Sequence, residues 1–478
     1  MYVEPRGVQD KLKGANSGEG DLWYGWGRFP ARFPQAPSGS HSPSSSRRSV
    51  RSAELSFPQR FFCPSNCRFL PLETIESLCM TVRNPVVCIS CDSKIITRTQ
   101  IGHKDMQKHS FPCPNCGVVI TYILDLDQKR ASVKFRDPDN GKWADDEDGA
   151  VKTLTFSDEI VIPASMPDFI SPHIATWGRY DWEKCREDEG LRQLFVQKTF
   201  QYAERCRVHF ERGNWDLFDK ESPSTHEGPV TPKSRLIDLY NFYTAGFSKF
   251  TLIPRGDYDR IHQRLTYAQT LDQPLVNDLA EQYLVSGRIV SLWKEIFSVR
   301  HSFVNCYNFI QPLITVKYWK EEYREPVTLS DKRFNELRQL YIDCFETLFR
   351  LLVLAMGFEV IIHHRRLEIP TKKGSMTLEQ FEQMPNAAKR DHIAKFPIED
   401  LFMPVLDTDF RNGIGHHAAH YEQEHDAVVI FDTKDAGKIS RVVGYTEFCE
   451  KVLDLFAAFE LAAMYHHDLH IYLGGRFA

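Results

Sequence analysis

Short apolar runs broken by turn residues fill the stretch from 86 to about 163, and longer runs with apolar residues at helical spacing fill most of the chain beyond it. Val86-Val87, Val118 to Leu124 and Ile160-Val161-Ile162 read as strands, because β-branched and aromatic residues in short runs suit a half-buried pleat. From about 175 the period changes. Glu189 to Glu211 and Pro274 to Phe297 read as helices, the second with Leu275, Leu279, Tyr283 and Leu284 at helical spacing. A further helix is expected from about Asp331 to Met356, stopped at Gly357, and a shorter one at Thr377, with Gln380 in capping-box register. The rhythm shifts once more near the C-terminus. Ala427 to Phe431 and Ile439 to Val443 read as two strands, and Thr446 to about Tyr472 as a closing helix.

The first 79 residues show no such periodicity. They are rich in Gly, Pro, Ser and Arg, as in Ser44-Ser45-Ser46-Arg47-Arg48, and are expected to be disordered, with Met80 as the native start. The pattern divides the chain into 1–79, a β-rich unit over 80–165, a helical linker region over 166–250 and a helical domain over 251–478. Ser222 to Pro232 reads as an exposed loop. The fold class is therefore mainly α, with a small β insertion in the C-terminal helical region and a β-rich domain before it. No internal repeat is evident.

At 478 residues and 42% apolar content the chain is long enough for two or three buried cores. A net charge of -5 gives no general attraction to nucleic acid, so contact with phosphates has to come from local basic groups. There is no uncharged apolar run of membrane-spanning length and no signal-peptide core at the N-terminus, which points to the cytoplasm. Twelve cysteines, several isolated in helical stretches, suit a reducing compartment.

Four of those cysteines form two pairs: Cys88-Ile89-Ser90-Cys91 and Cys113-Pro114-Asn115-Cys116-Gly117. Each C-x-x-C loop offers two thiolates to one ion, and four thiolates at tetrahedral geometry suit zinc. The segment 84–126 resembles a zinc ribbon. With every coordination position filled, such a zinc is structural and leaves no open place for an activated water, so no catalytic metal is expected. His103 and His109, between the pairs, are alternative ligands in place of a cysteine, but read more simply as exposed loop histidines. Lys94, Arg98, Lys104 and Lys108 offer a basic face for a nucleic acid or protein, or simply a solvated one. The acidic run Asp145 to Asp148 reads as a solvated loop.

The second chemical feature is Arg411-Asn412-Gly413-Ile414-Gly415-His416. Arginine stays charged and matches phosphate oxygens, while histidine exchanges protons near neutrality. The Arg-to-His spacing alone is weak evidence, since Arg98 and His103 repeat it inside the presumed zinc ribbon. Asn412, the helical region before and the strand-strand-helix pattern after set 411–416 apart. With these features, residues 250–478 resemble a HEPN (higher eukaryotes and prokaryotes nucleotide-binding) domain, whose mark is Arg-x4-6-His, often with Asn after the Arg. The resemblance implies a helical HEPN-like bundle and a metal-independent endoribonuclease of toxin or antiviral defence systems. It also implies a homodimer in which two motifs share one cleft, Arg411, Asn412 and His416 being this chain's share. In such a cleft His416 would move protons, Arg411 would hold the phosphate and Asn412 would orient either group. RNA and a regulatory partner protein are the partners implied. The Tyr that some members carry two residues after the His is here Ala418, with Tyr421 nearby.

Other readings of the same residues stay open. Arg411 can pair structurally with Asp407 or Asp409, and His416, His417, His420 and His425 can be weighed as metal ligands, although no H-E-x-x-H pattern occurs. His466, His467 and His470 in the last helix read as exposed. The alternative function is a non-catalytic nucleic-acid or protein interaction module that dimerises through its helices.

Overall fold

The computed structural model describes residues 81–102, 104–127, 132–157, 192, 195–222, 230–251, 253–318, 329, 332–372, 374–415, 419–432 and 438–477. The expected disorder before residue 80, the strand expected at 160–162, and His103, His416 and His417 lie outside these described residues.

Two hairpins build the N-terminal unit. β1 (Thr81–Cys88) pairs antiparallel with β2 (Lys94–Gln100), and β3 (Met106–Pro112) with β4 (Val119–Asp127). β5 (Ser132–Phe135) extends the second hairpin, while β6 (Gly141–Trp143) and β7 (Lys152–Phe156) flank the first, in the order β6-β1-β2-β7. Alternation explains the pairing. β4 buries Ile120, Tyr122, Leu124 and Leu126 and turns the residues between them outward, as a strand with one covered face must. Val86, Ile95, Phe111, Ile120, Tyr122 and Phe156 close the core, and the Tyr122 hydroxyl is satisfied by Thr99 at 2.6 Å. The run Asp145 to Asp148 is exposed as expected, but Glu147 pairs with Arg83 and Asp146 with Lys94.

The rest of the described chain is helical apart from small sheets. The helices are α1 (Phe200–Glu211), α2 (Trp215–Glu221), α3 (Pro232–Thr251), α4 (Arg255–Leu271), α5 (Gln273–Val285), α6 (Arg288–Tyr318) and α7 (Phe334–His364). The β8–β9 hairpin (Ile369–Thr371 and Gly374–Met376) leads to α8 (Leu378–Glu382), α9 (Asn386–Ile393), α10 (Glu399–Phe402) and α11 (Thr408–Gly415). A three-stranded antiparallel sheet of β10 (Ala419–Glu422), β11 (Ala427–Phe431) and β12 (Ile439–Gly444) precedes the closing α12 (Tyr445–Tyr472). α7 and α12 pack together, and α3, α4 and α6 close around them. Every residue of α7 from Leu351 to Ile361 is buried, the pattern of a helix at the centre of a body. One apolar core runs from Phe195 to Leu473, shared by the described helices before and after residue 251.

Several boundaries differ from the periodicity. Gly357 does not stop α7, which runs on to His364 and ends where Arg365 takes φ 52°. The glycine is there for space: a Cβ on it would lie 3.0 Å from Leu279 Cδ1 and 3.1 Å from Leu378 Cδ1. The helix expected over Pro274–Phe297 is two helices, separated at Gly287, whose φ of +69° favours a residue without a Cβ. The helix expected from Glu189 is described as α-helical from Phe200, after one π turn at Phe195–Thr199. The Thr377 capping box forms with both of its hydrogen bonds. His466, His467 and His470 are buried, not exposed, because their side of α12 faces Tyr240 and Trp293. Among the described residues no helix is long and apolar enough to cross a membrane.

Candidate metal centre and the Arg411 helix

Each C-x-x-C pair forms the turn of one hairpin, and the two turns repeat one backbone design. The Cys88 amide donates to the Ser93 carbonyl and the Asp92 amide to the Cys88 carbonyl, both at 2.9 Å. The second turn matches it with Cys113 to Val118 and Gly117 to Cys113, again both at 2.9 Å. The fourth residue after the first cysteine takes positive φ in each turn, 54° at Asp92 and 76° at Gly117, and Gly117 does so without strain. The turns bring Cys88 Sγ within 3.6 Å of Cys116 Sγ, and Cys91 Sγ within 3.6 Å of Cys113 Sγ. All four sulfurs lie within 4.8 Å of one another. Four thiolates about 2.3 Å from a tetrahedral zinc stand about 3.8 Å apart, so the cluster has the size a metal such as zinc requires. It is no pair of disulfides, since a bonded pair sits near 2.05 Å and all four cysteines are free. Hydrogen bonding to Ser93 and Asn115 pulls the Cys91 thiol down to about 6, while at Cys116, against the Val118 backbone hydrogen bond, burial and the neighbouring cysteines push the thiol up to about 12. Among the described residues these four cysteines are the one group of this kind, and His420 and His425 belong to no such cluster.

The basic residues of this unit do not form a common face. Lys94 is held by Asp146, Arg98 is buried, and the Lys104 ammonium donates to the Asn308 carbonyl of α6 at 2.8 Å. His109 is a core residue rather than a loop one: it lies in β3, wedged against Tyr122 and Phe156. Burial pushes its pKa down to about 3, so the ring stays neutral, and neither ring nitrogen has a hydrogen-bond partner. The unit also touches the C-terminal sheet. Glu424, in the β10–β11 turn, places its Oε1 3.3 Å from where a Cβ on Gly117 would stand.

Arg411 and Asn412 lie on α11. The Asp407 side chain accepts from the Phe410 amide at 2.9 Å and opens the helix, and its other oxygen accepts from Arg441 at 2.8 Å. Burial pushes the Asp407 carboxyl up, but the Phe410 amide, Arg441 and Lys451 outweigh it and hold the group below the usual carboxylate range. At the far end, Arg338 of α7 donates to the carbonyls of Ile414 at 2.7 Å and Gly415 at 3.3 Å, supplying donors that the last turn lacks. Gly413 is required for packing: a Cβ there would fall 2.2 Å from Ile430 Cγ2. Gly413 thus lets α11 lie close on β11.

Arg411 pairs with neither Asp407 nor Asp409. Its Nη2 stands 2.5 Å from Oε1 of Glu346, on α7, and its Nη1 donates to the Asn412 Oδ1 at 3.4 Å. The Glu346 contact is a charge pair without hydrogen-bond alignment, because Glu346 Oε1 and Arg411 Nε are both buried without a hydrogen-bond partner. Asn412 is exposed. Tyr421 faces away from this group, its hydroxyl donating to Asp426 at 2.8 Å. Glu346, Arg338 and Glu424 had no signal in the sequence, since each acts on a segment many residues distant and none belongs to a spaced motif.

No protein-family model matches the chain, and neither a curated protein nor a solved structure matches it.

Proposed function

We propose that the protein cleaves RNA, with Arg411, Asn412 and His416 as one chain's share of a HEPN-like site completed by a second copy, and with a structural zinc at the four cysteines. The observation that carries this reading is the state of Arg411. Its guanidinium, half-buried, sits beside an exposed amide on a helix pinned at both ends. A phosphate oxygen at the solvent-facing part of the guanidinium would meet its charge there. Glu346 does not prevent this, because its carboxylate is 40% exposed and such a pair contributes about 1 kcal/mol or less. Cleavage by the RNA's own 2'-hydroxyl then needs a proton carrier, the role given to His416, and a cation for the charge that builds on phosphorus.

The test is cleavage of unstructured RNA by the purified full-length protein in EDTA. Arg411→Ala and His416→Ala each lower the rate by about 10²-fold or more, the range of a lost acid–base or charge-stabilising group. Glu346→Gln frees Arg411 and keeps or raises activity. Full activity in both alanine variants, each still folded, removes the assignment.

A further inference from the structure

A cleft of about 670 Å³ opens between the cysteine-bearing unit and the helical body. Its walls come from three separate segments: Lys108 on β3, Lys332 and Arg333 with Glu336 at the start of α7, and His420 and Tyr421 on β10. We propose that this cleft binds a backbone phosphate of single-stranded RNA, a few nucleotides from the bond cut at Arg411; the inference rests on the reading that the protein acts on RNA.

Charge is the first reason. Lys108, Lys332 and Arg333 line the cleft with Glu336, and with Lys332 balanced by Asp426 two cations remain against that one acid, in a chain whose net charge is -5. A local excess of this kind is what a phosphate contact requires when the whole molecule gives no attraction. Two of the cations are fixed in place. Asp426 holds Lys332 at 2.7 and 2.9 Å over the Tyr445 ring, and the Arg333 guanidinium lies 4.0 Å from the centre of the Phe309 ring. Lys108 and His420 have no ion-pair partner among the described residues, and the exposed His420 ring stacks on Phe431 at 5.4 Å, a platform a base can extend.

Size and position are the second. The volume falls within the roughly 300–1,000 Å³ of ordinary ligand sites. Five residue steps lead from Gly415, at the end of the Arg411 helix, to His420, so the two lie within about 18 Å of each other. One strand can therefore engage both places. The arrangement also separates Lys108 from Lys94 and Lys104, which are occupied by Asp146 and the Asn308 carbonyl.

The experiment uses full-length protein carrying Arg411→Ala, so that binding is read without cleavage, and a fluorescein-labelled unstructured RNA followed by anisotropy over a range of salt. Adding Lys108→Ala weakens binding for every sequence tried and lowers the slope of log affinity against log salt by about 0.7, the value of one phosphate contact on a single strand. Lys108→Glu weakens it further, and Lys94→Ala leaves it unchanged. An unchanged affinity and slope in both Lys108 variants, with circular dichroism showing intact folding, overturns the proposal. Equal, Lys108-dependent binding of a DNA strand of the same sequence overturns the assignment to RNA. Cleavage by the wild-type protein with Lys108-independent binding sinks the cleft alone. Lys108-dependent binding without any cleavage sinks the nuclease reading and leaves the cleft standing.

Discussion

Gly413→Ala tests how α11 is held. The added methyl carbon would stand 2.2 Å from Ile430 Cγ2, whereas carbon atoms in contact sit about 3.5–4.0 Å apart, so helix and strand must part by more than about 1 Å. Two effects oppose each other. Alanine in place of glycine favours the helix by about 1 kcal/mol, while overpacking a closed interface costs about 1–3 kcal/mol. Here neither partner yields easily: Asp407 and Arg338 fix the two ends of α11, and β11 is the middle strand of its sheet. The clash therefore wins, with a net loss of up to about 2 kcal/mol. Urea unfolding, tracked by tryptophan fluorescence, measures it in Gly413→Ala, Ile430→Leu and the double variant. Leucine has no Cγ2 branch at the β-carbon, so the double variant is more stable than the sum of the singles by about 1 kcal/mol or more. Gly415→Ala is the control, since the nearest atom to its new methyl is Arg411 Nη1 at 3.4 Å, and its effect stays within about 0.5 kcal/mol. Additive effects of Gly413→Ala and Ile430→Leu would refute this account of the glycine.

Sulfur geometry and burial lead to two more expected outcomes. The purified chain carries one zinc by elemental analysis, and Cys113→Ser lowers that content. Because metal binding in such a site is on the order of 10 kcal/mol of folding free energy, metal loss also raises amide hydrogen exchange in β1 to β4. Acid weakens the helical body. Burial holds the pKa of His466 near 4 and those of His467 and His470 well below 6.5, so the unfolded chain takes up protons that the folded one refuses. The stability these histidines contribute is thus full above about pH 6.5 and is lost as pH drops toward 4, His466 alone accounting for roughly 3 kcal/mol, partly offset by the Asp468 carboxyl, which burial pushes up to about 6. A thermal midpoint that does not decline between pH 6.5 and 4.5 would contradict this.

The sequence carried local information well and long-range information poorly. The cysteine pairs were legible because C-x-x-C is a turn motif whose four sulfurs need only two hairpins to meet. β11, β12 and α12 were legible because period 2 and period 3.6 are read within a few residues. Gly357 misled because glycine has two uses. Its cost to a helix is local, whereas its value at a tight crossing depends on Leu279 and Leu378, which no local pattern reveals. The C-terminal histidines misled for a related reason: on a helix that is apolar almost all round, a polar residue is buried whenever another element brings it a partner. Here α3 brings Tyr240, which stacks on His467 at 3.9 Å and shares a hydrogen bond of 2.8 Å with His470. Arg411 was found by its motif, but its partner was missed, because Glu346 lies on a helix 65 positions earlier.

The cysteine-bearing unit and the Arg411 helix are linked through the C-terminal sheet. Glu424 rests on the Gly117 turn that carries Cys113 and Cys116, and it stands between β10 and β11. β11 supplies Ile430, against which Gly413 packs, and β10 supplies the His420 wall of the basic cleft. The turn that carries Cys113 and Cys116 is the surface that Glu424 of the β10–β11 hairpin meets. Lys104 adds a second attachment through the Asn308 carbonyl of α6. The four cysteines therefore act on the proposed RNA site by position: they fix Lys108 and the hairpin on one frame, and with it both walls between which a strand would pass.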